Sequence, residues 1–157
     1  MKIKKGLLLL CIALPLLVGI LSALLTRNSM MTFASLNQPP LSPPAWLFPV
    51  VWTVLYALMG ISSYLMLSSG AEEHKVRRAM NLYLYQLAVN FLWPTFFFNF
   101  GWYFFSLLWL ILLWILVFLM IRAFASISKW AAYLNIPYLI WLTFAAYLNA
   151  GIWWLNR

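Results

Sequence analysis

Three apolar segments carry aromatic and amide side chains at helical spacing. Residues four positions apart share one face of a helix, so each segment is expected to present such a face. Side chains of this kind stack on flat apolar ligands and orient them by hydrogen bonds, or they pack and bond only with one another. The residues on these faces are Trp52, Tyr56, Gln86, Asn90, Trp93, Trp141, Phe144, Ala145, Leu148 and Asn149.

The sequence offers few groups for acid–base, nucleophilic or metal chemistry. Glu72 and Glu73 are its only acidic residues, and without an aspartate it has no Ser/His/Asp triad. The single histidine, His74, lies in the same short connection and lacks the companions that a metal site requires. The single cysteine, Cys11, excludes an internal disulfide and a cysteine metal site. We therefore predict no metal site and no required cofactor.

The composition predicts an integral membrane protein. Of the 157 residues, 66% are hydrophobic and 8% are charged, whereas a soluble domain carries roughly 25% charged residues. Apolar segments of about 20 residues recur, which is the length that spans a bilayer. The net charge of +8 is spread over short flanks, so the clustered basic face that nucleic acid requires is missing. The expected partner is the lipid bilayer, not nucleic acid.

These segments predict an all-α integral membrane protein, a bundle of five transmembrane helices in a single domain over residues 1–157. The first segment follows a basic start as a signal peptide would, but its apolar part is long enough to be retained as a span. The connection 26–45, here called the proline loop, is expected to be stiff and extended. Alternatively, Pro43 and Pro44 merely start the second helix. The predicted spans are 6–25, 46–68, 79–98, 103–124 and 131–154.

The basic residues predict the orientation of these spans. One side of the membrane receives eight of them and the other receives only Arg27 and Arg157. By the positive-inside rule, the N-terminus lies in the cytoplasm, and the C-terminus and the proline loop lie outside. The basic residues on the cytoplasmic side are Lys2, Lys4, Lys5, Lys75, Arg77, Arg78, Arg122 and Lys129.

The three aromatic faces converge at one depth. At 1.5 Å per residue, Tyr56 and Asn90 each lie about 15 Å from the outer end of their segments. The face of the fifth segment lies in the same outer half of the membrane, and Ala145 leaves room there for a flat molecule. A buried amide in lipid needs a partner, so Asn90 and Asn149 pair with each other, with backbone or with a ligand. Core packing alone is the alternative explanation of the whole arrangement.

Three ordered stretches resemble the TspO/MBR family, the tryptophan-rich sensory protein or translocator protein family. They are PPLSPPAWLFPVVWTVLYALMGISSYL, QLAVNFLWPTFFF and IPYLIWLTFAAYLNAGIWWLN, within residues 31–156. The resemblance implies a bacterial multi-pass membrane protein with a ligand pocket beneath its first long loop. It implies a porphyrin or haem-type tetrapyrrole as the ligand. Animal relatives bind cholesterol and benzodiazepine-type drugs, so a drug of that type is a further expected ligand.

The aromatic faces and the resemblance together give one predicted ligand site. The chain departs from the family at Phe33, where relatives often carry a tyrosine whose hydroxyl is lost here. Asn81 and Tyr85 replace the small residues proposed for family dimers, so a homodimer is left open. Ala150 and Trp154 stand where the cholesterol pattern has Tyr and Arg, which argues against cholesterol. The predicted ligand-binding residues are Phe33, Pro43, Trp52, Tyr56, Asn90, Trp93, Trp141, Phe144, Ala145 and Leu148.

The predicted function is tetrapyrrole binding with a sensory or regulatory role. An enzymatic alternative is light-dependent breakdown of protoporphyrin IX, associated with some bacterial relatives, for which Trp52 and Trp141 are the candidate residues. In that case the excited ligand would supply most of the chemistry. Transport of amphipathic small molecules and a scaffold that binds nothing are two further alternatives. The sequence does not identify the natural ligand, the oligomeric state or a signalling partner.

Overall fold

The chain folds into helices, and no strand occurs within residues 2–157, the part that this computed structural model describes. The predicted all-α class is therefore confirmed for those residues. The elements, in chain order, are α1 (Lys5–Thr26), a 3-10 turn (Arg27–Ser29), α2 (Met30–Ala34), α3 (Leu47–Leu67), α4 (Glu73–Pro94), a π-helical turn (Thr95–Asn99), α5 (Tyr103–Ala125), α6 (Lys129–Tyr133) and α7 (Ile136–Leu155).

The five long helices, α1, α3, α4, α5 and α7, contain 20 to 23 residues each and correspond to the five predicted spans. The helix α4 is the most polar of them, because it begins with charged residues and carries Gln86 and Asn90 in its middle. Among residues 2–157, four helical segments are long and apolar enough to cross a membrane. They are Lys5–Ala34, Leu47–Leu67, Tyr103–Ala125 and Lys129–Leu155.

Two predicted spans differ in detail from the helices observed. The last one, 131–154, is divided into α6 and α7, because Pro137 at the start of α7 has no N–H with which to continue the preceding turn. At this break the buried amide of Asn135 donates to the hydroxyl of Ser62 on α3, at 2.6 Å. The third one, 79–98, begins earlier, at Glu73, and ends in a π-helical turn after Pro94.

The proline loop is helical in its first half, which was not predicted. Its prolines begin only at Pro39, so no helix breaker opposes the 3-10 turn and α2 before them. The second half is irregular, and Leu41 at its tip has a φ of 67°, a conformation uncommon for leucine. The proposal that Pro43 and Pro44 start the second helix is wrong, since α3 begins only at Leu47.

The helices form a ring around a space filled by side chains. In this ring α1 packs against α3 and α4, α5 packs against α4, α6 and α7, and α3 packs against α6. The backbones of α3 and α7 hardly approach each other, and neither do those of α4 and α7. Aromatic and amide side chains therefore bridge the space between these three helices.

Candidate functional site

A chain of hydrogen bonds joins α3, α4 and α7 inside the bundle. The hydroxyl of Tyr56 donates to Oδ1 of Asn90 at 2.9 Å, and Nδ2 of Asn90 donates to the hydroxyl of Tyr138 at 2.6 Å. The Tyr138 hydroxyl in turn donates to Oε1 of Gln86 at 2.7 Å. We call these four residues the tyrosine–amide chain; none is more than 7% exposed. Its bonds satisfy polar groups that lipid surroundings cannot satisfy.

Tyr138 is the site residue that sequence reasoning missed. It lies three residues before Trp141 and seven before Ala145, so it occupies the same face of α7. That spacing was a usable signal. The prediction did not include Tyr138, although it is fully buried. Tyr138 bonds to Asn90 and Gln86 of α4 and packs against the ring of Trp52 on α3.

Two tryptophans line the space between α3 and α7. The ring of Trp52 lies against Tyr56 and edge-on to Tyr138, with centroids 5.5 and 6.1 Å apart. The ring of Trp141 contacts Phe48 at 5.9 Å and Phe144 at 5.6 Å. The indole nitrogen of Trp141 is buried and has no hydrogen-bond partner. A buried donor without an acceptor is uncommon in proteins and calls for an explanation.

Of the partners expected for Asn149, which were Asn90, backbone or a ligand, the structure shows backbone and not Asn90. Asn149 accepts a hydrogen bond from the indole N–H of Trp93 at 3.1 Å and donates to the backbone oxygen of Tyr103 at 2.8 Å. Trp93 also stacks on Phe97, with ring centroids 4.9 Å apart. These contacts join Trp93 of α4 to α7, and Asn149 joins α7 to α5. Its indole N–H is already used within the protein.

The remaining predicted residues lie around this cluster. Phe33, on α2, packs against Phe97 and Phe98 of the π-helical turn, with centroids 5.8 and 5.2 Å apart. A turn of this kind often occurs at functional sites, and here it follows Pro94, which lacks an N–H to donate. Four other predicted residues are half-buried, one in the irregular part of the proline loop and three on α7. They are Pro43, Phe144, Ala145 and Leu148.

The space between the three helices is occupied by the protein's own side chains. The Tyr56 ring fills the gap left by Gly19 of α1, since a Cβ at Gly19 would overlap that ring. A separate apolar groove of about 420 Å³ lies outside this cluster and was not predicted. Its lining includes Pro39, Pro40, Leu107, Tyr147, Gly151 and Trp154.

Comparison with known proteins identifies similar chains. A model described as the TspO/MBR family matches residues 11–155. The chain is 39% identical over 148 residues to the tryptophan-rich protein TspO of Chlorobaculum tepidum, with 94% of each chain covered. It is 37% identical over 149 residues to the translocator protein of Bos taurus, covering 92% of this chain and 86% of that one. It is 36% identical over 124 residues to the tryptophan-rich sensory protein of Cereibacter sphaeroides, covering 79% and 76%.

Proposed function

This chain belongs to the TspO/MBR family, and we propose that it binds a flat tetrapyrrole of the porphyrin or haem type between α3, α4 and α7. The relatives are named as sensory and translocator proteins, which favours a role in sensing or moving a small molecule. Our proposal is a sensory or regulatory role. The scaffold alternative predicts that no tetrapyrrole binds at all.

The observation that carries this proposal is the indole N–H of Trp141. It is buried without an acceptor among aromatic rings, so a ligand with a suitably placed oxygen or nitrogen would gain a hydrogen bond there. The rings of Trp52 and Trp141 offer stacking surfaces, and the tyrosine–amide chain forms a polar floor. The acidic arms of a porphyrin would remain near the exposed end of the bundle, where Arg27 lies at the start of the proline loop.

The binding test is a titration of protoporphyrin IX into the purified protein in detergent, in the dark, followed by tryptophan fluorescence. We expect saturable quenching in the micromolar range. Trp141→Phe keeps a ring but removes the indole N–H, so it is expected to weaken binding roughly three- to tenfold. Asn90→Ala removes the centre of the polar floor and is expected to weaken binding by a similar factor.

Two matched variants control this titration. Trp130→Phe changes a tryptophan that is 73% exposed and lies near the opposite end of the bundle, and Asn81→Ala changes an exposed amide on α4. Both are expected to bind like the parent. Quenching that never saturates, or that Trp141→Phe leaves unchanged, would contradict the site. Loss of porphyrin absorbance on illumination, absent in the dark, would instead favour the enzymatic alternative.

We also propose that α4 is a fifth membrane span and that the proline loop lies outside the cell. The polar groups in the middle of α4, Gln86 and Asn90, are bonded inside the bundle, so they do not oppose insertion. Eight basic residues at the opposite end favour this orientation.

Cysteine labelling tests this topology in intact cells. A membrane-impermeant maleimide is expected to label Leu41→Cys in the proline loop and Phe100→Cys after α4, which is 52% exposed. It is expected to leave Ser69→Cys, between α3 and α4, unlabelled until the cells are permeabilised. The parent, whose Cys11 is buried, is the unlabelled control. Labelling of Ser69→Cys alone in intact cells would reverse the orientation. If Phe100→Cys behaved like Ser69→Cys, α4 would not cross the membrane and the five-span arrangement would be contradicted.

A further inference from the structure

The proline loop is attached to the bundle on two sides by contacts of different chemistry. On the α4 side, the Phe33 ring packs against Phe97 and Phe98 of the π-helical turn. Phe97 is only 3% exposed. The hydroxyl of Ser29 also donates to Oδ1 of Asn99 at 2.6 Å. This attachment is mainly apolar, so releasing it would expose aromatic surface.

On the α7 side, the attachment combines hydrogen bonds from Tyr147 and Asn156 with one apolar contact, that of the buried Pro39 ring. The Asn156 amide bonds both backbone groups of Asn37: Oδ1 accepts from the Asn37 N–H at 3.0 Å, and Nδ2 donates to the Asn37 oxygen at 2.9 Å. The Tyr147 hydroxyl donates to the Pro40 oxygen at 2.6 Å. The Pro39 ring rests on Gly151, where a Cβ would overlap it.

We propose that the proline loop opens from its α7 side, and that Asn156 is the positioning residue that holds it closed over the space between α3, α4 and α7. Asn37, Pro40 and Tyr147 are exposed, so water can replace their hydrogen bonds when the loop lifts. Water cannot replace the contacts of the Phe33 ring with two phenylalanine rings. On the α7 side the matching apolar contact is a single proline ring on a glycine. The loop therefore pivots after α2, near Ser35, while α2 stays on the π-helical turn.

The movement can be measured without any ligand, using pairs of spin labels in a Cys11→Ala background. One pair, Leu41→Cys with Leu155→Cys, reports the α7 side; the other, Met31→Cys with Phe100→Cys, reports the α4 side. All four positions are exposed. Double electron–electron resonance gives the distance distribution of each pair. Asn156→Ala is expected to add a longer population to the 41–155 distribution and to leave the 31–100 distribution unchanged.

Asn99→Ala is the matched control, because it removes an amide that bonds the loop on the opposite side. It is expected to leave the 41–155 distribution unchanged. Asn156→Asp keeps the acceptor for the Asn37 N–H but loses the donor, so a smaller long-distance population is expected. An unchanged 41–155 distribution in Asn156→Ala, or equal broadening of both pairs, would overturn the proposal.

The consequence for ligand exchange rests on the proposed function. If protoporphyrin IX binds under the loop, its dissociation from Asn156→Ala is expected to be about tenfold faster, the factor that one or two net hydrogen bonds provide. Asn99→Ala is expected to stay within about twofold of the parent. If the parent binds no porphyrin, the proposed function fails while the distance measurements still decide how the loop opens. Equal dissociation rates in the parent and Asn156→Ala would show that this hydrogen-bond pair does not limit exchange.

Discussion

Replacing Asn90 by leucine is expected to lower the free energy of unfolding by about 1–3 kcal/mol. Asn90 is 3% exposed and accepts the only side-chain hydrogen bond that the buried Tyr56 hydroxyl donates. Leucine is close to asparagine in size but leaves that hydroxyl without an acceptor. Tyr138 loses a donor but still donates to Gln86. The measurement is unfolding by sodium dodecyl sulfate from mild detergent micelles, followed by circular dichroism.

A double-mutant cycle with Tyr56→Phe separates this hydrogen bond from the packing around it. In a Tyr56→Phe background the hydroxyl is already absent, so Asn90→Leu leaves no donor without an acceptor on α3. The double variant is therefore expected to lose less stability than the sum of the two single losses. Asn81→Leu, the same substitution at an exposed position of α4, is expected to change stability little. Additive losses in the cycle would mean that the tyrosine–amide chain contributes nothing through this bond.

The sequence was sufficient to predict the long helices and the faces that meet. Trp52 and Tyr56, or Trp141 and Ala145, share a face because of helical periodicity alone. Their partners could not be predicted in the same way. Whether Asn90 bonds to Asn149 or to Tyr56 and Tyr138 depends on how each helix is rotated and on the separation of α3 and α7. That separation is set by packing over the whole bundle.

The structure of the proline loop was also only partly predictable from the sequence. Its four prolines predicted a stiff segment, and the part that follows Pro39 is irregular. No periodic pattern in the sequence indicates the helical part before it. None indicates the attachment of the loop to Asn156, which lies 119 residues beyond Asn37. The break between α6 and α7 is similar, because Pro137 alone allows either a kink or a new helix. Asn135, bonded to Ser62 across the bundle, occupies this break.

Gly60→Ala is expected to destabilise the protein by about 1–3 kcal/mol, the usual cost of forcing atoms into a packed interior. Gly60 lies on α3 where α1 comes closest, and a Cβ there would overlap the backbone of Ile12 and crowd the carbonyl of Cys11. Backbone atoms cannot rotate away as a side chain can, so the two helices must separate. Small residues permit this kind of close approach between membrane helices. The same unfolding assay measures the loss.

Helix propensity alone would make Gly60→Ala more stable, because alanine is the better helix former by about 1 kcal/mol. A loss of stability would therefore report the close contact of α1 with α3. Gly6→Ala on α1 is the matched control, since a Cβ at Gly6 would meet nothing within 4 Å. We expect it to be neutral or stabilising. Separation of α1 from α3 would also free the Tyr56 ring, which packs against Gly19 of α1. If Gly60→Ala were as stable as Gly6→Ala, the close contact of α1 with α3 would not be a constraint on the fold.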